Sequence, residues 1–183
     1  MASRLPPCKR HIATHDANGK SVYADFKEQT FNEAGTAGFV ARSWSVANVP
    51  AKLGDDEDMK AYFAGPESVT SYQRPEIVVP SDGGKNNGAN LVVVDLIPGG
   101  VSQMHQTVSI DFSICTIGTI IHELDSGERV TLNPGDHIVQ RGTNHRWINA
   151  SRTEPARFVA VTLPCVPFDV AGKKLEEVFK PDP

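Results

Sequence analysis

The chain has 183 residues, 39% hydrophobic and 22% charged, enough to bury one substantial core, with a formal net charge of −4. That charge gives no general attraction for phosphate backbones or anionic lipid, and no apolar run approaches the ~20 residues that cross a bilayer. Neither nucleic acid nor a membrane is therefore expected as a partner. The 15 glycines and 13 prolines are spread over turns rather than gathered in one tract, which favours many short β elements over disorder.

The amino terminus, MASRLPPCKRHIATHD, lacks the apolar stretch of a secretory signal. Cys8, Cys115 and Cys165 are odd in number and widely spaced, so reduced thiols in a cytoplasmic protein are expected, not a disulfide framework or a cysteine metal site. Residues 9–26 read as two short strands around Asn18-Gly19, with His15 placed to brace the turn. Residues 38–44 read as a strand and 56–63 as a short helix stopped by Gly65-Pro66. Residues 81–90, SDGGKNNGAN, are a loop on composition.

From residue 90 onward strand and turn alternate at short intervals: NLVVVDLI, VSIDFSICTI, TIIHEL, ERVTL, DHIVQ, HRWIN and ARFVAVTL, separated by Gly-, Pro- and Asn-rich turns. Such regular punctuation predicts an all-β sandwich or barrel. Residues 172–180 read as a short C-terminal helix. Along residues 109–117, period-two geometry puts Ile110, Phe112 and Ile114 on one face and Ser109, Asp111, Ser113 and Cys115 on the other. Alternation alone would send the polar face to water.

Spacing argues for the opposite assignment. Gly99 is followed by five residues, His105, one residue, Thr107, three residues, Asp111, six residues and Gly118. A second run falls on Gln140, Gly142, His145 and Asn149 within QRGTNHRWIN. These runs resemble the two motifs of small single-domain cupins, with Gly135 one residue closer than in the usual second motif. They are similar in particular to a subgroup with H-x-T-x-x-x-D and Q-R-G-T-N-H-x-W motifs, found in bacteria and in fungal secondary-metabolite clusters. The N-terminal HDANGKSV run resembles that subgroup's opening strand.

The resemblance implies a double-stranded β-helix, the cupin jelly-roll barrel, as one domain over residues 1–183. The barrel core would span about 90–163, with N-terminal strands and loops over 9–89 and a helical tail over 164–183. It further implies that His105, Thr107, Asp111 and His145 point into the cavity. Ser113 and Cys115 would then follow Asp111 by parity, and Trp147 and Asn149 would follow His145. The opposite face, Ile110, Phe112 and Ile114, must then be covered by the N-terminal strands or by a second subunit, and a homodimer is expected.

Relative to the usual motif, Thr107 replaces the second histidine and Asp111 the glutamate. Three chemistries compete for the site. His105, Asp111 and His145 could bind a single divalent metal (Fe, Zn, Mn or Ni) for oxygenase chemistry, although Thr107 is a poor ligand. The same three residues could act without metal as acid and base, in a dehydratase, decarboxylase, isomerase or cyclase tailoring a small polyketide-like metabolite. Or the protein could bind a small molecule without turning it over. Burying two imidazoles and a carboxylate is costly unless something uses them, which favours catalysis over binding alone, and the likeness to cluster-encoded cupins favours the acid–base reading.

Other signals are read as structural. His122 and His137 match no family ligand position and are assigned to the surface or to strand packing, and His11 and His15 to the surface. Cys115 has no cationic neighbour in sequence and is read as an apolar filler, not a nucleophile. Gly83-Gly84-Lys85 lacks the spacing of a phosphate loop, and Asn149-Ala150-Ser151 forms a glycosylation triplet without a secretory signal.

Overall fold

The computed structural model describes residues 5–25, 28–64 and 88–179. The loop over 81–87, the Gly65-Pro66 stop and Gly83-Gly84-Lys85 lie outside the described residues. The first hairpin pairs β1 (Ala13–His15) with β2 (Ser21–Tyr23) around Gly19, whose φ of +77° falls in the left-handed region that glycine enters without penalty. Asp16, not His15, braces this turn: its carboxylate accepts from the amides of Asn18 and Lys20 at 2.8 and 2.9 Å. A carboxylate oxygen can accept both bonds at once, as in an Asx turn.

A short strand that the sequence does not announce, β3 (Asn32–Ala34), turns into β4 (Gly38–Val46). Gly38 has to be glycine. Its φ is +144°, and a Cβ there would lie 2.1 Å from the Asp95 carbonyl oxygen. The short helix α1 (Glu57–Tyr62) lies against β4: Tyr62 is fully buried, stacks on Trp44 at 4.5 Å, and donates to the Arg42 carbonyl at 2.5 Å.

The remaining strands are β5 (Ala89–Leu96), β6 (His105–Gln106), β7 (Ser109–Ile117), β8 (Ile120–Leu124), β9 (Arg129–Leu132), β10 (His137–Arg141), β11 (His145–Asn149), β12 (Ala156–Pro164), β13 (Asp169–Val170), β14 (Lys173–Lys174) and β15 (Val178–Phe179). They form a six-stranded sheet of order β10-β7-β12-β5-β4-β3 and a five-stranded sheet of order β15-β6-β11-β8-β9, antiparallel throughout. The two sheets face each other in the expected all-β jelly roll. An apolar cluster between them includes Leu96, Cys115, Ile120, Leu132, Trp147 and Phe158, and beyond Trp147 and Phe158 a cavity opens.

Two expectations are corrected. Residues 172–179 are not helical: Ala171 and Gly172 sit at φ +50° and +76°, two consecutive left-handed residues that an α-helix cannot hold but a tight hairpin requires. They turn β13 into β14, after which β15 pairs with β6 and joins the five-stranded sheet.

Among the described residues, the N-terminal strands do not cover Phe112 and Ile114, which stay 42% and 41% exposed. Part of the N-terminal segment packs instead at the far end of β12. There Arg157 holds the Asp95 carboxylate through two bonds of 2.6 and 2.7 Å, donates to the Pro6 carbonyl, and lies 5.7 Å from the Phe31 ring.

Candidate active site

β6 is only two residues long, yet it sets His105 directly opposite His145 on β11. Opposed antiparallel side chains lie within a few ångströms of each other, and the two imidazole centroids are 4.3 Å apart. Each ring is held by the chain just before it: His105 Nδ1 bonds the Gln103 carbonyl at 2.8 Å and His145 Nδ1 the Thr143 carbonyl at 3.0 Å. A carbonyl oxygen can only accept, so each Nδ1 carries the hydrogen and each Nε2 is the basic nitrogen. Burial lowers the pKa of His105, and burial followed by the neighbouring His105 ring pushes His145 down to about 3. Both imidazoles are therefore neutral at physiological pH.

A third imidazole joins them. His122, read from sequence as a surface or packing residue, is buried and stacks on His145 at 5.1 Å, with Trp147 edge-on to it at 4.7 Å. Gln140 sets its tautomer. The Gln140 amide nitrogen donates to the Thr143 carbonyl at 2.9 Å and to the Thr143 hydroxyl, so its oxygen accepts from His122 Nε2 at 3.0 Å. The signal for His122 is one of register: it lies directly opposite Trp147, and opposed residues share a face.

Asp111 approaches from the other sheet. It is 5% exposed, and burial pushes its carboxyl up to about 6 despite a hydrogen bond from Ser109 that favours the charged form. Ser109 in turn bonds Thr107 at 2.7 Å. The second oxygen, Asp111 Oδ1, has no hydrogen-bond partner within the protein, which is costly for a buried carboxyl unless a ligand supplies one.

His105, His145 and Asp111 line one cavity of about 320 Å³, at the lower end of the ~300–1,000 Å³ that small-molecule sites occupy, and His122 stands behind His145 outside its lining. His105, Thr107, Asp111, Ser113, His145 and Trp147 all line it, as expected. Cys115 and Asn149 do not. Cys115 keeps the inward parity but sits deeper, in the apolar cluster, with its thiol directed at the Gly118 carbonyl and its pKa raised by burial and by Asp136. Asn149 is consumed in structure: its amide nitrogen donates to the carbonyls of Leu96, Ile97 and Glu154, and its oxygen accepts from Ser151. Unexpectedly, Phe179 of the C-terminal segment lines the cavity and stacks on His105.

The donor types suit a divalent ion, but their disposition does not. Among the described residues no group of three or more His, Cys, Asp and Glu side chains is placed to hold a metal. The imidazoles come from the five-stranded sheet and the carboxylate from the six-stranded one, and all three line the cavity. As placed, these three side chains do not fit a shared ion.

Residues 92–162 match the cupin domain family. Over 172 residues the chain is 36% identical to phomopsin biosynthesis cluster protein D of Diaporthe leptostromiformis, covering 91% of this chain and 83% of that one. It is 31% identical to oryzines biosynthesis cluster protein J of Aspergillus oryzae, covering 94% and 92%. It is 32% identical to the cupin-domain-containing oxidoreductase fogC of Aspergillus ruber, covering 91% and 77%.

Proposed function

The chain belongs to the cupin family, and from that premise we propose that its barrel cavity performs metal-independent proton transfer on a small secondary metabolite. The observation that carries this reading is the meeting of two buried, paired imidazoles and a buried carboxyl with an unpartnered oxygen in one cavity. His105 Nε2 is the base. The ring's Nδ1 is tied to the Gln103 carbonyl, so Nε2 is left to accept a proton from a carbon activated by an adjacent carbonyl. Asp111, near 6, gives a proton to the carbonyl or the departing oxygen from the facing sheet. His145 and Thr107 orient the substrate. Dehydration, decarboxylation, isomerisation and ring closure all use this set of transfers. The relatives named for phomopsin and oryzine biosynthesis clusters support a place in tailoring a secondary metabolite.

The test is deuterium exchange. Chelator-treated protein in D₂O is offered small aromatic β-keto acids and ketones, and proton NMR follows exchange or conversion at the carbon beside the carbonyl. Catalysis that survives chelation and is lost in His105→Ala is expected, and the absence of any exchange or conversion across the panel would sink the reading. A second reading, oxidation of the same class of substrate, is favoured by relatives named cupin-domain-containing oxidoreductases. Under it, the purified protein carries a stoichiometric metal and consumes oxygen, and chelation abolishes turnover. We also propose that a second copy covers Phe112 and Ile114.

A further inference from the structure

Phe179 sits on the edge strand of the five-stranded sheet, is 51% exposed and ends a two-residue strand. Yet the chain on its N-terminal side is firmly seated. Leu175 is buried against Gly142, where a Cβ would lie 2.8 Å from its Cδ2, and its amide bonds the Phe168 carbonyl at 2.9 Å. Gln106 donates to the Glu176 carbonyl at 2.9 Å, and Val178 and Phe179 then pair with Gln106 and His105.

This path delivers the Phe179 ring parallel to His105, 6° apart in plane and 5.7 Å between centroids, within the lining of the cavity. A row of rings results. From Phe179 through His105, His145 and Trp147 to Phe158, successive centroids are 5.7, 4.3, 5.7 and 4.3 Å apart. Facing the row are the aliphatic side chains of Val92, Val94 and Ala160 and the unpartnered Asp111 Oδ1.

We infer that Phe179 is a substrate-contacting specificity residue, completing an aromatic wall that selects a flat, oxygen-substituted aromatic occupant over a saturated one of similar size. The inference rests on the reading that this cavity is the substrate site, and it names the class of substrate. The two sheets bound a slot in which the Phe179 and His105 rings lie parallel, the Trp147 ring stands edge-on to His145 beyond them and Phe158 closes from the opposite sheet, and the buried Asp111 oxygen calls for a hydroxyl or carbonyl at the ring edge.

The test uses two probes in calorimetric titrations of the full-length protein: 2-naphthol, flat and hydroxylated, and 2-decalol, its saturated counterpart. Wild-type protein is expected to favour 2-naphthol by at least ~3- to 10-fold, the scale of a favourable ring pair. Phe179→Ala and Phe179→Leu are expected to remove most of that preference, chiefly by weakening 2-naphthol, while Phe179→Trp keeps it. Thermal melts establish that each variant is folded. Equal affinity for the two probes, no measurable binding of 2-naphthol, or unchanged 2-naphthol affinity in the folded Ala and Leu variants would each overturn the inference. Failure of the catalytic reading is separable: a protein that discriminates the probes but exchanges no deuterium keeps the aromatic wall and loses the enzyme, and the converse loses only the wall.

Discussion

At Asp111 burial and function pull in opposite directions. Moving its carboxyl from an ordinary 3.8 to about 6 disfavours the charged form by roughly 3 kcal/mol. Because the folded state holds this proton more tightly than the unfolded chain, ionising Asp111 removes stability as pH rises through about 6. Asp111→Asn is therefore expected to raise the melting temperature at pH 8 by several degrees, at ~2–4 °C per kcal/mol for a chain of this size, and to give a much smaller gain at pH 4.5, where the unfolded carboxyl is already ionising and the folded one is not. Melts at the two pH values check it. The histidines act in the opposite sense. His105, His122 and His145 are all lowered in the fold, so the unfolded chain takes up protons near 6.5 that the folded one refuses, and stability falls as pH drops below that point. Three such groups outweigh one aspartate, and wild-type protein is expected to melt lower at pH 4.5 than at pH 7.5. In turnover, His105→Ala is expected to cost ~10²- to 10⁴-fold and His145→Ala less, measured as kcat with folding verified. Motif spacing, through the family resemblance, made His105, Asp111 and His145 legible; the diversion of Asn149 into three backbone carbonyls was not, because two of those acceptors, Leu96 and Ile97, lie more than 50 residues away in sequence.

At the scale of elements, β7 and β11 alternate in burial, and β7 does so against its hydropathy. Ser109, Asp111, Ser113 and Cys115 are buried while Phe112 and Ile114 are exposed, an inversion of hydropathy that the motif interval anticipates and alternation alone would not. The C-terminal segment escaped the same reasoning. Its two-residue strands are too short to carry a period, and the turn at Ala171-Gly172 competes with a helix that composition tolerates. If this segment is anchored by its one buried side chain, Leu175→Ala should cost ~2–5 kcal/mol and lower the melting temperature measurably. Gly38→Ala should be at least as damaging, since the added Cβ meets backbone that cannot rotate away.

For the whole molecule, the exposed face carrying Phe112, Ile114 and Val139 is the feature a monomer leaves unexplained. If a second copy covers it, light scattering at micromolar concentration should report a dimer, and Phe112→Asp should report a monomer of unchanged secondary structure. A wild-type monomer would remove the second subunit from the proposal. Among the described residues no helix is long and apolar enough to cross a membrane. The sequence by itself determined an all-β sandwich or barrel, because strand periodicity and turn punctuation are local properties, and the resemblance of its two motif runs to the cupins implied the jelly roll and the inward placement of His105, Asp111 and His145. Only the tertiary structure decided the rest: that His122 stacks beside His145, that Cys115 lies too deep to meet a ligand, and that a ring 74 positions from His105 closes the cavity. Those facts depend on which strand lies across from which, a choice made by packing two sheets together and written in no single stretch of chain.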